Sequence, residues 1–171
     1  MLQIYYGNGK GKTTAAIGAA IRALGHDYKV LFAQFLKCEN TGERIALRKL
    51  DNIYLLPCPI EMDFVFNLSD SQKLQLSKLC LDIFNSAVNT ALTQKYDMII
   101  FDEILTAIDL NIMPEREVIS FLANAPSNME IICTGSNASE KIIELSDYVS
   151  LITKVKHPYD KGVDARRGIE F

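Results

Sequence analysis

The sequence of 171 residues has no excess of basic side chains: 18 Lys and Arg stand against 21 Asp and Glu, a net charge of −3. Without a basic field, phosphate neutralisation cannot drive binding to nucleic acid, so we expect no nucleic-acid partner. Apolar runs are short, as at Met98–Phe101, whereas a bilayer span needs about 20 residues. We therefore expect no membrane partner and a cytoplasmic location.

Paired cysteines are also lacking. The four cysteines lie far apart, with no CxxC pair: Cys38, Cys58, Cys80 and Cys133. This spacing favours reduced thiols over a zinc site. A chain of this length with 49% hydrophobic residues can bury one ordinary core, because about 100–200 residues make a domain. We expect residues 1–171 to form a single domain.

What is present is an alternation of strands and helices. Apolar or β-branched runs predict strands, most of them too continuous to have one face in water: Leu2–Tyr6, Lys29–Leu36, Asn52–Cys58, Tyr96–Phe101, Met129–Cys133 and Tyr148–Thr153. Periodicity and capping signals predict helices between them: Lys12–Leu24, Thr41–Leu50, a long helix from the capping box at Ser69–Gln72 to Leu92, one starting near Pro114 and one starting at Asn137–Glu140. The alternation predicts an α/β fold, a mostly parallel sheet of about six strands with helices on both faces.

The stretch "IYYGNGKGKTTAA" at Ile4–Ala16 nearly matches the phosphate-binding loop pattern G-x-x-x-x-G-K-[ST]. The pattern requires glycine at position 6, but Tyr6 stands there and Gly7 follows, so the loop is one residue tighter. A strand before it and a helix after it favour phosphate binding over an unliganded turn, and predict a P-loop NTPase-like fold. The predicted nucleotide-binding residues are Gly7, Asn8, Gly9, Lys10, Gly11, Lys12, Thr13 and Thr14.

An acidic pair, Asp102 and Glu103, follows the apolar run "MIIF". Taken alone, such a pair is more often a solvated turn. Parallel sheets bind ligands at the carboxyl ends of their strands, so this pair and the loop should converge there. Together with Thr13, the two carboxylates predict a magnesium site beside the bound phosphates.

Several motifs, in order, give the sequence a family resemblance over almost its whole length. They are "GNGKGKTTAA", "AQFLK" followed by "TGER", "FDEI", "TGS" with "ELSDYV", and "KHPYDKGVDARRGIEF". With these motifs the chain resembles the ATP:corrinoid adenosyltransferases. The resemblance implies transfer of the 5′-deoxyadenosyl group of ATP to the Co(I) centre of a corrinoid such as cob(I)alamin, with release of triphosphate, in adenosylcobalamin biosynthesis or salvage. It also implies Mg²⁺, a flavodoxin-like reductase as electron donor, and a homodimer.

The resemblance implies roles for particular residues. Lys12 would act on the triphosphate, which threads through the loop in the reverse of the usual sense. Phe64 and Phe66, two residues apart in Pro59–Asn67, would press on the lower face of the corrin and displace its axial ligand; packing in the core is the alternative. The possible substrate contacts are Gln34, Lys37, Thr134, Gly135 and His157.

The sequence departs from the family pattern at four positions. Cys38 stands where glycine is common, Ser136 where arginine is, Ser139 where proline is, and Arg166 where glutamine is. The chain starts at the first predicted strand, so we expect no N-terminal helical extension over the corrinoid. Two rival functions are open: a P-loop ATPase or kinase, in which Glu103 polarises the attacking group, and a regulatory protein that senses ATP.

Overall fold

The computed structural model describes residues 1–36, 41–58 and 68–170. These residues build a six-stranded sheet with the order β3-β2-β4-β5-β1-β6. Every neighbouring pair of strands is parallel. The strands are β1 Leu2–Tyr6, β2 Val30–Gln34, β3 Ile53–Leu55, β4 Met98–Asp102, β5 Glu130–Gly135 and β6 Tyr148–Leu151. The predicted α/β class and its parallel sheet are confirmed.

Helices cover both faces of the sheet. They are α1 Lys12–Leu24, α2 Gly42–Leu47, α3 Asp70–Thr93, α4 Ile104–Asp109, α5 Glu115–Asn124 and α6 Glu140–Leu145, with a 3₁₀ turn at Pro158–Lys161. One core cluster joins α1 and α2 to the sheet through residues such as Ala16, Leu47 and Phe32. The other cluster joins α3, α4, α5 and α6 to the opposite face. Continuous apolar sequences suit central strands such as β2 and β4, because both of their faces are buried.

Two helix starts show how local chemistry sets the boundaries. The capping box predicted at Ser69 is present, since the Ser69 hydroxyl accepts from the Gln72 N–H and the Gln72 side chain accepts from the Ser69 N–H. The start predicted at Asn137 is wrong by two residues. Ser139 caps α6 by accepting from the Ile142 N–H at 3.3 Å, while the Asn137 amide donates to Asp109 instead.

Two further features differ from the prediction. Strand β6 is exposed along its whole length, because it forms the sheet edge and pairs only with β1 within the described part of the chain. Helix α4 was not predicted, since its six residues are too few to show a helical period. None of the helices in the described ranges is both long and apolar enough to cross a membrane.

Candidate functional site

The four central strands bring several of the predicted site residues together at the carboxyl ends of the sheet. The register pairs Gln34 of β2 with Asp102 of β4, and Tyr6 of β1 with Gly135 of β5. The loop of residues 7–11 leaves β1 at this same edge and leads into α1. The carboxyl ends of parallel strands thus place the loop beside Asp102, as the fold class requires.

Glycine is needed in the loop for two reasons. Gly7 and Gly11 have φ values of 121° and 116°, which side chains rarely tolerate. A Cβ atom on Gly7 would also lie 2.4 Å from the carbonyl oxygen of Ile152. The Gly7 N–H donates to the Gly135 carbonyl at 3.1 Å, and the Gly9 N–H donates to the Ile152 carbonyl at 2.8 Å. Two backbone hydrogen bonds therefore fix the loop, one to the last residue of β5 and one to the residue after β6.

The loop lysine and the side chains beside it point in defined directions. The Lys12 ammonium donates to the Gly9 carbonyl at 2.9 Å, so it folds over the loop that precedes it. The side chain of Asn8 accepts from the backbone N–H of Lys154 at 2.9 Å. The loop is thus tied both to its own lysine and to the segment after β6.

Asp102 is the centre of a buried polar network. One oxygen, Oδ1, accepts from the Thr13 hydroxyl at 2.8 Å and from the Thr134 hydroxyl at 2.7 Å. The other, Oδ2, accepts from the Gln34 amide at 3.2 Å. Asp102 and Thr134 have no exposed surface. Burial together with these donors fixes the carboxylate beneath the start of α1.

Glu103, the second member of the acidic pair, has a strained backbone. Its φ is 64°, a left-handed conformation that is uncommon for residues other than glycine. Its N–H donates to the Thr134 hydroxyl at 2.9 Å, and its carboxylate accepts from Thr106 in α4. This left-handed conformation turns the chain sharply from β4 into α4. It also places Glu103 at the wall of a cleft.

A cleft of about 480 Å³ opens in front of the loop. This volume lies within the range of small-molecule sites, roughly 300–1,000 Å³. Three parts of the chain form its walls: the loop together with the start of α1, the start of α2, and residues 168–170. It is lined by Lys10, Gly11, Lys12, Thr13, Thr14, Ile17, Gly42, Glu43, Glu103, Gly168, Ile169 and Glu170.

Gln34, a predicted substrate contact, is fully buried and continues the polar network toward α2. Its amide donates to Glu43 at 3.2 Å, and its oxygen accepts from Arg44 at 3.4 Å. Arg44, itself 1% exposed, also donates to the Leu56 carbonyl at 2.9 Å. The network positions Glu43 at the wall of the cleft.

The remaining predicted contacts are placed differently. Gly135 is buried beneath α4, where a Cβ atom would lie 2.4 Å from the Thr106 nitrogen. His157 caps the 3₁₀ turn by accepting from the Tyr159 N–H at 3.2 Å. It is not among the cleft-lining residues of the described chain. Three predicted site residues lie outside the described residues: Lys37, Phe64 and Phe66. Cys38, which departs from the family pattern, also lies outside them.

Glu170 is a site residue that the sequence did not reveal. It lines the cleft, and its carboxylate accepts from the Lys10 ammonium and from the Arg166 guanidinium, each at 3.0 Å. Hydrogen bonds from the Arg166 side chain, then from its backbone and from Lys10, lower the pKa of Glu170 to about 2. The terminal block matches the family pattern, but no local signal pairs residues 160 positions apart.

Comparison with known proteins identifies the family and the fold. The model of the family described as ATP:corrinoid adenosyltransferase BtuR/CobO/CobP matches residues 1–171. The corrinoid adenosyltransferase of Escherichia coli K12 is 33% identical over 98% of this chain and 84% of its own length. Corrinoid adenosyltransferase CobA of Salmonella typhimurium LT2 is also 33% identical, with the same coverage.

Among solved structures, the flagellar accessory protein FlaH from Methanocaldococcus jannaschii superposes with a TM-score of 0.53. The match covers 88% of this chain and 69% of that one, at 17% identity. Such a distant match shows the fold alone, and it confirms the predicted P-loop NTPase-like architecture. The family match spans the whole chain and includes the shortened loop. The resemblance seen in the motifs is thereby confirmed, and the chain belongs to the ATP:corrinoid adenosyltransferase family.

Proposed function

We propose that the protein transfers the 5′-deoxyadenosyl group of ATP to the Co(I) centre of a corrinoid and releases triphosphate, in adenosylcobalamin biosynthesis or salvage. The observation that carries this proposal is the family match over residues 1–171. The shortened loop supports it, because this loop opens onto a cleft of sufficient size and holds Lys10 and Lys12 at its wall.

The chemistry explains what the protein must supply. The electron pair of Co(I) forms a bond to C5′ of the ribose, and the C5′–O bond breaks with its electrons going to the triphosphate. All three phosphates leave together, so stabilising their charge lowers the barrier. The N–H groups of the loop, Lys12 and Lys10 supply the positive charge that offsets the negative charge of the phosphates. No side chain needs to act as nucleophile or general base, since the reactivity belongs to the corrinoid.

Magnesium fits the donor set of this site. The Thr13 hydroxyl donates a hydrogen bond to Asp102, and its oxygen is the kind of hard ligand that Mg²⁺ prefers. No group of three or more His, Cys, Asp or Glu in the described ranges is arranged to hold a metal. Mg²⁺ is usually held by one or two carboxylates together with waters and substrate phosphates. We assign Thr13, Asp102 and Glu103 to this ion, whose charge would offset that of the phosphates. Asp102 is buried and would act through the Thr13 hydroxyl, from which it accepts a hydrogen bond.

Several finer assignments are part of the same proposal. We assign the ATP phosphates to residues 7–14 and possible substrate contacts to Lys37 and His157. Gln34, Thr134 and Gly135, which are buried, would support the site from beneath through their neighbours. We also propose that residues 1–171 form one domain, that the protein is a homodimer, and that a flavodoxin-like reductase supplies the electron. A cytoplasmic location stays a prediction from the sequence.

A direct assay separates this function from its rivals. The protein is incubated with ATP, Mg²⁺ and chemically reduced Co(I) corrinoid, while the Co(I) spectrum and the phosphate products are followed. We expect the Co(I) bands to disappear as triphosphate accumulates in equal amount. Release of ADP and phosphate would instead identify an ATPase or kinase. ATP binding without any product would identify a sensor.

A second experiment tests the aromatic pair. Alanine in place of both Phe64 and Phe66 is expected to abolish adenosylation of corrinoid supplied as Co(II), because a strong axial ligand hinders reduction of the cobalt. Activity with prepared Co(I) corrinoid should be largely retained. Equal losses with both substrates would show that the two rings do not act on the axial ligand.

A further inference from the structure

The end of the chain places a negative charge at the cleft proposed for a polyanion. Glu170 lines this cleft together with Gly168 and Ile169. Its oxygen Oε1 lies 3.0 Å from the Lys10 ammonium and 3.0 Å from the Arg166 guanidinium. One carboxylate oxygen thus gathers two cations beside the phosphate loop.

The Arg166 contact has a geometry that suits phosphate equally well. Its Nε lies 3.2 Å from Oε2 of Glu170, and its Nη2 lies 3.0 Å from Oε1. This is the two-pronged arrangement that guanidinium groups form with carboxylates and with phosphates alike. Arg166 stands where the resemblance leads us to expect glutamine, so this chain carries a cation that the family pattern lacks at this position.

The backbone of the tail does not depend on the Glu170 side chain alone. The N–H groups of Ile169 and Glu170 both donate to the Arg166 carbonyl, at 3.1 and 2.9 Å. These bonds close a turn that would persist if the carboxylate rotated away. Both side chains are also partly exposed, at 56% for Arg166 and 20% for Glu170. A change of partner therefore requires side-chain rotation and the loss of the hydrogen bond from the Arg166 N–H to Oε2 of Glu170, at 2.8 Å.

From these contacts we propose that Arg166, which contacts the cleft-lining Glu170 but is not itself among the lining residues of the described cleft, is a triphosphate-binding residue, and that Glu170 holds Arg166 and Lys10 beside the cleft until a phosphate oxygen takes its place. This inference rests on the proposed function, because it takes triphosphate as the occupant of the cleft. Binding then exchanges one anion for another around the same two cations. No covalent bond changes and no proton is transferred.

The exchange has an energetic consequence. A fixed negative charge beside the site opposes the binding of a polyanion, and the ion pairs that it makes must be broken. Its loss should strengthen binding, whereas the loss of a merely structural contact would weaken binding or leave it unchanged. The sign of the effect therefore distinguishes the two roles.

The experiment measures the binding of inorganic triphosphate and of Mg²⁺–ATP by titration calorimetry. We expect Glu170→Gln to lower the dissociation constant roughly two- to fivefold, the size that exposed ion pairs typically support. Arg166→Gln should raise it by a similar factor. In the double variant Glu170→Gln/Arg166→Gln, most of the gain should disappear, because the released guanidinium is missing.

The matched control is Asp160→Asn, which removes one negative charge from the same tail. Asp160 pairs with Lys154 at 2.8 Å and does not line the described cleft. We expect this variant to bind triphosphate like the unaltered protein. An equal gain would mean that net charge alone explains the effect, and would overturn the proposal. Circular dichroism melting should show that all the variants are folded.

The remaining outcomes separate the two proposals. If the unaltered protein binds ATP but Glu170→Gln binds it equally or more weakly, the exchange at Arg166 is wrong and the proposed function stands. If the unaltered protein binds neither ATP nor triphosphate, both fail together. An additional variant, Arg166→Lys, should retain the positive charge but lose the two-pronged hydrogen bonding of the guanidinium. We expect its affinity to lie between those of the unaltered protein and Arg166→Gln.

Discussion

The phosphate loop and the chain end face each other across the cleft, yet they are held by different forces. Backbone hydrogen bonds to residues 135 and 152, and the crowding around Gly7, position the loop. Side-chain ion pairs such as Lys10–Glu170, Arg166–Glu170 and Lys154–Asp160 hold the end of the chain. The loop should therefore respond to changes in volume, and the tail to changes in charge and ionic strength.

The largest effect is expected from crowding the loop. In Gly7→Ala, the new methyl group would lie 2.4 Å from a backbone oxygen, at a φ of 121°. Overpacking and backbone strain each cost about 1–3 kcal/mol, so the free energy of unfolding should fall by roughly 2–4 kcal/mol and ATP binding should be lost. Urea denaturation measures the first effect and calorimetry the second. Unchanged stability would contradict the packing described for the loop.

A smaller effect is expected from removing the loop charge. Lys12→Ala should weaken ATP binding about 10- to 100-fold, because hydrogen bonds from charged groups contribute roughly 1.5–3 kcal/mol. Turnover should fall at least as far. Lys141→Ala is the matched control, since it removes the same charge from an exposed position on α6. Normal ATP affinity and turnover in Lys12→Ala would exclude the assignment of this loop to phosphate.

Crowding should matter much less at the chain end. Gly168 has a φ of 78°, but no atom lies within 4 Å of the Cβ position. In Gly168→Ala only the backbone conformation is disfavoured, by roughly 1–2 kcal/mol. Global stability should change by no more than this, and by less if the tail opens locally. A loss as large as that of Gly7→Ala would erase the contrast between the two regions.

The smallest effect concerns pH. Since the pKa of Glu170 is lowered to about 2, its ionic contacts are complete above its ordinary pKa of 4.5 and are lost only as the pH falls through about 2. The ratio of triphosphate affinities between Glu170→Gln and the unaltered protein should stay constant between about pH 5 and pH 8. Calorimetry at several pH values checks this. A ratio that falls toward one within this range would contradict a permanently charged Glu170.

Elements with strong local patterns were predictable from the sequence. Helix α1 has the predicted bounds Lys12–Leu24, and β1 the predicted bounds Leu2–Tyr6. The loop motif and "FDEI" were correctly expected at one edge of the sheet, because parallel topology forces strand ends together. The Thr13–Asp102 hydrogen bond follows from that convergence.

Features set by distant contacts could not be predicted. The Asn137 side chain bonds to Asp109, so it does not cap α6. The exposure of β6 depends on its place at the sheet edge, which its apolar sequence does not disclose. Glu170 reaches the cleft through partners that lie in other parts of the chain or in its own turn. In each case a tertiary contact decides between locally acceptable alternatives.

The position of β1 between β5 and β6 has a consequence for biosynthesis. The strand that leads into the phosphate loop leaves the ribosome before both of its neighbours, which begin only at Glu130 and Tyr148. At bacterial or eukaryotic translation rates, that delay is on the order of ten seconds. Nucleotide can therefore assist folding only after synthesis has passed β6, and messages truncated before the codon for Ile152 should yield products that never capture nucleotide.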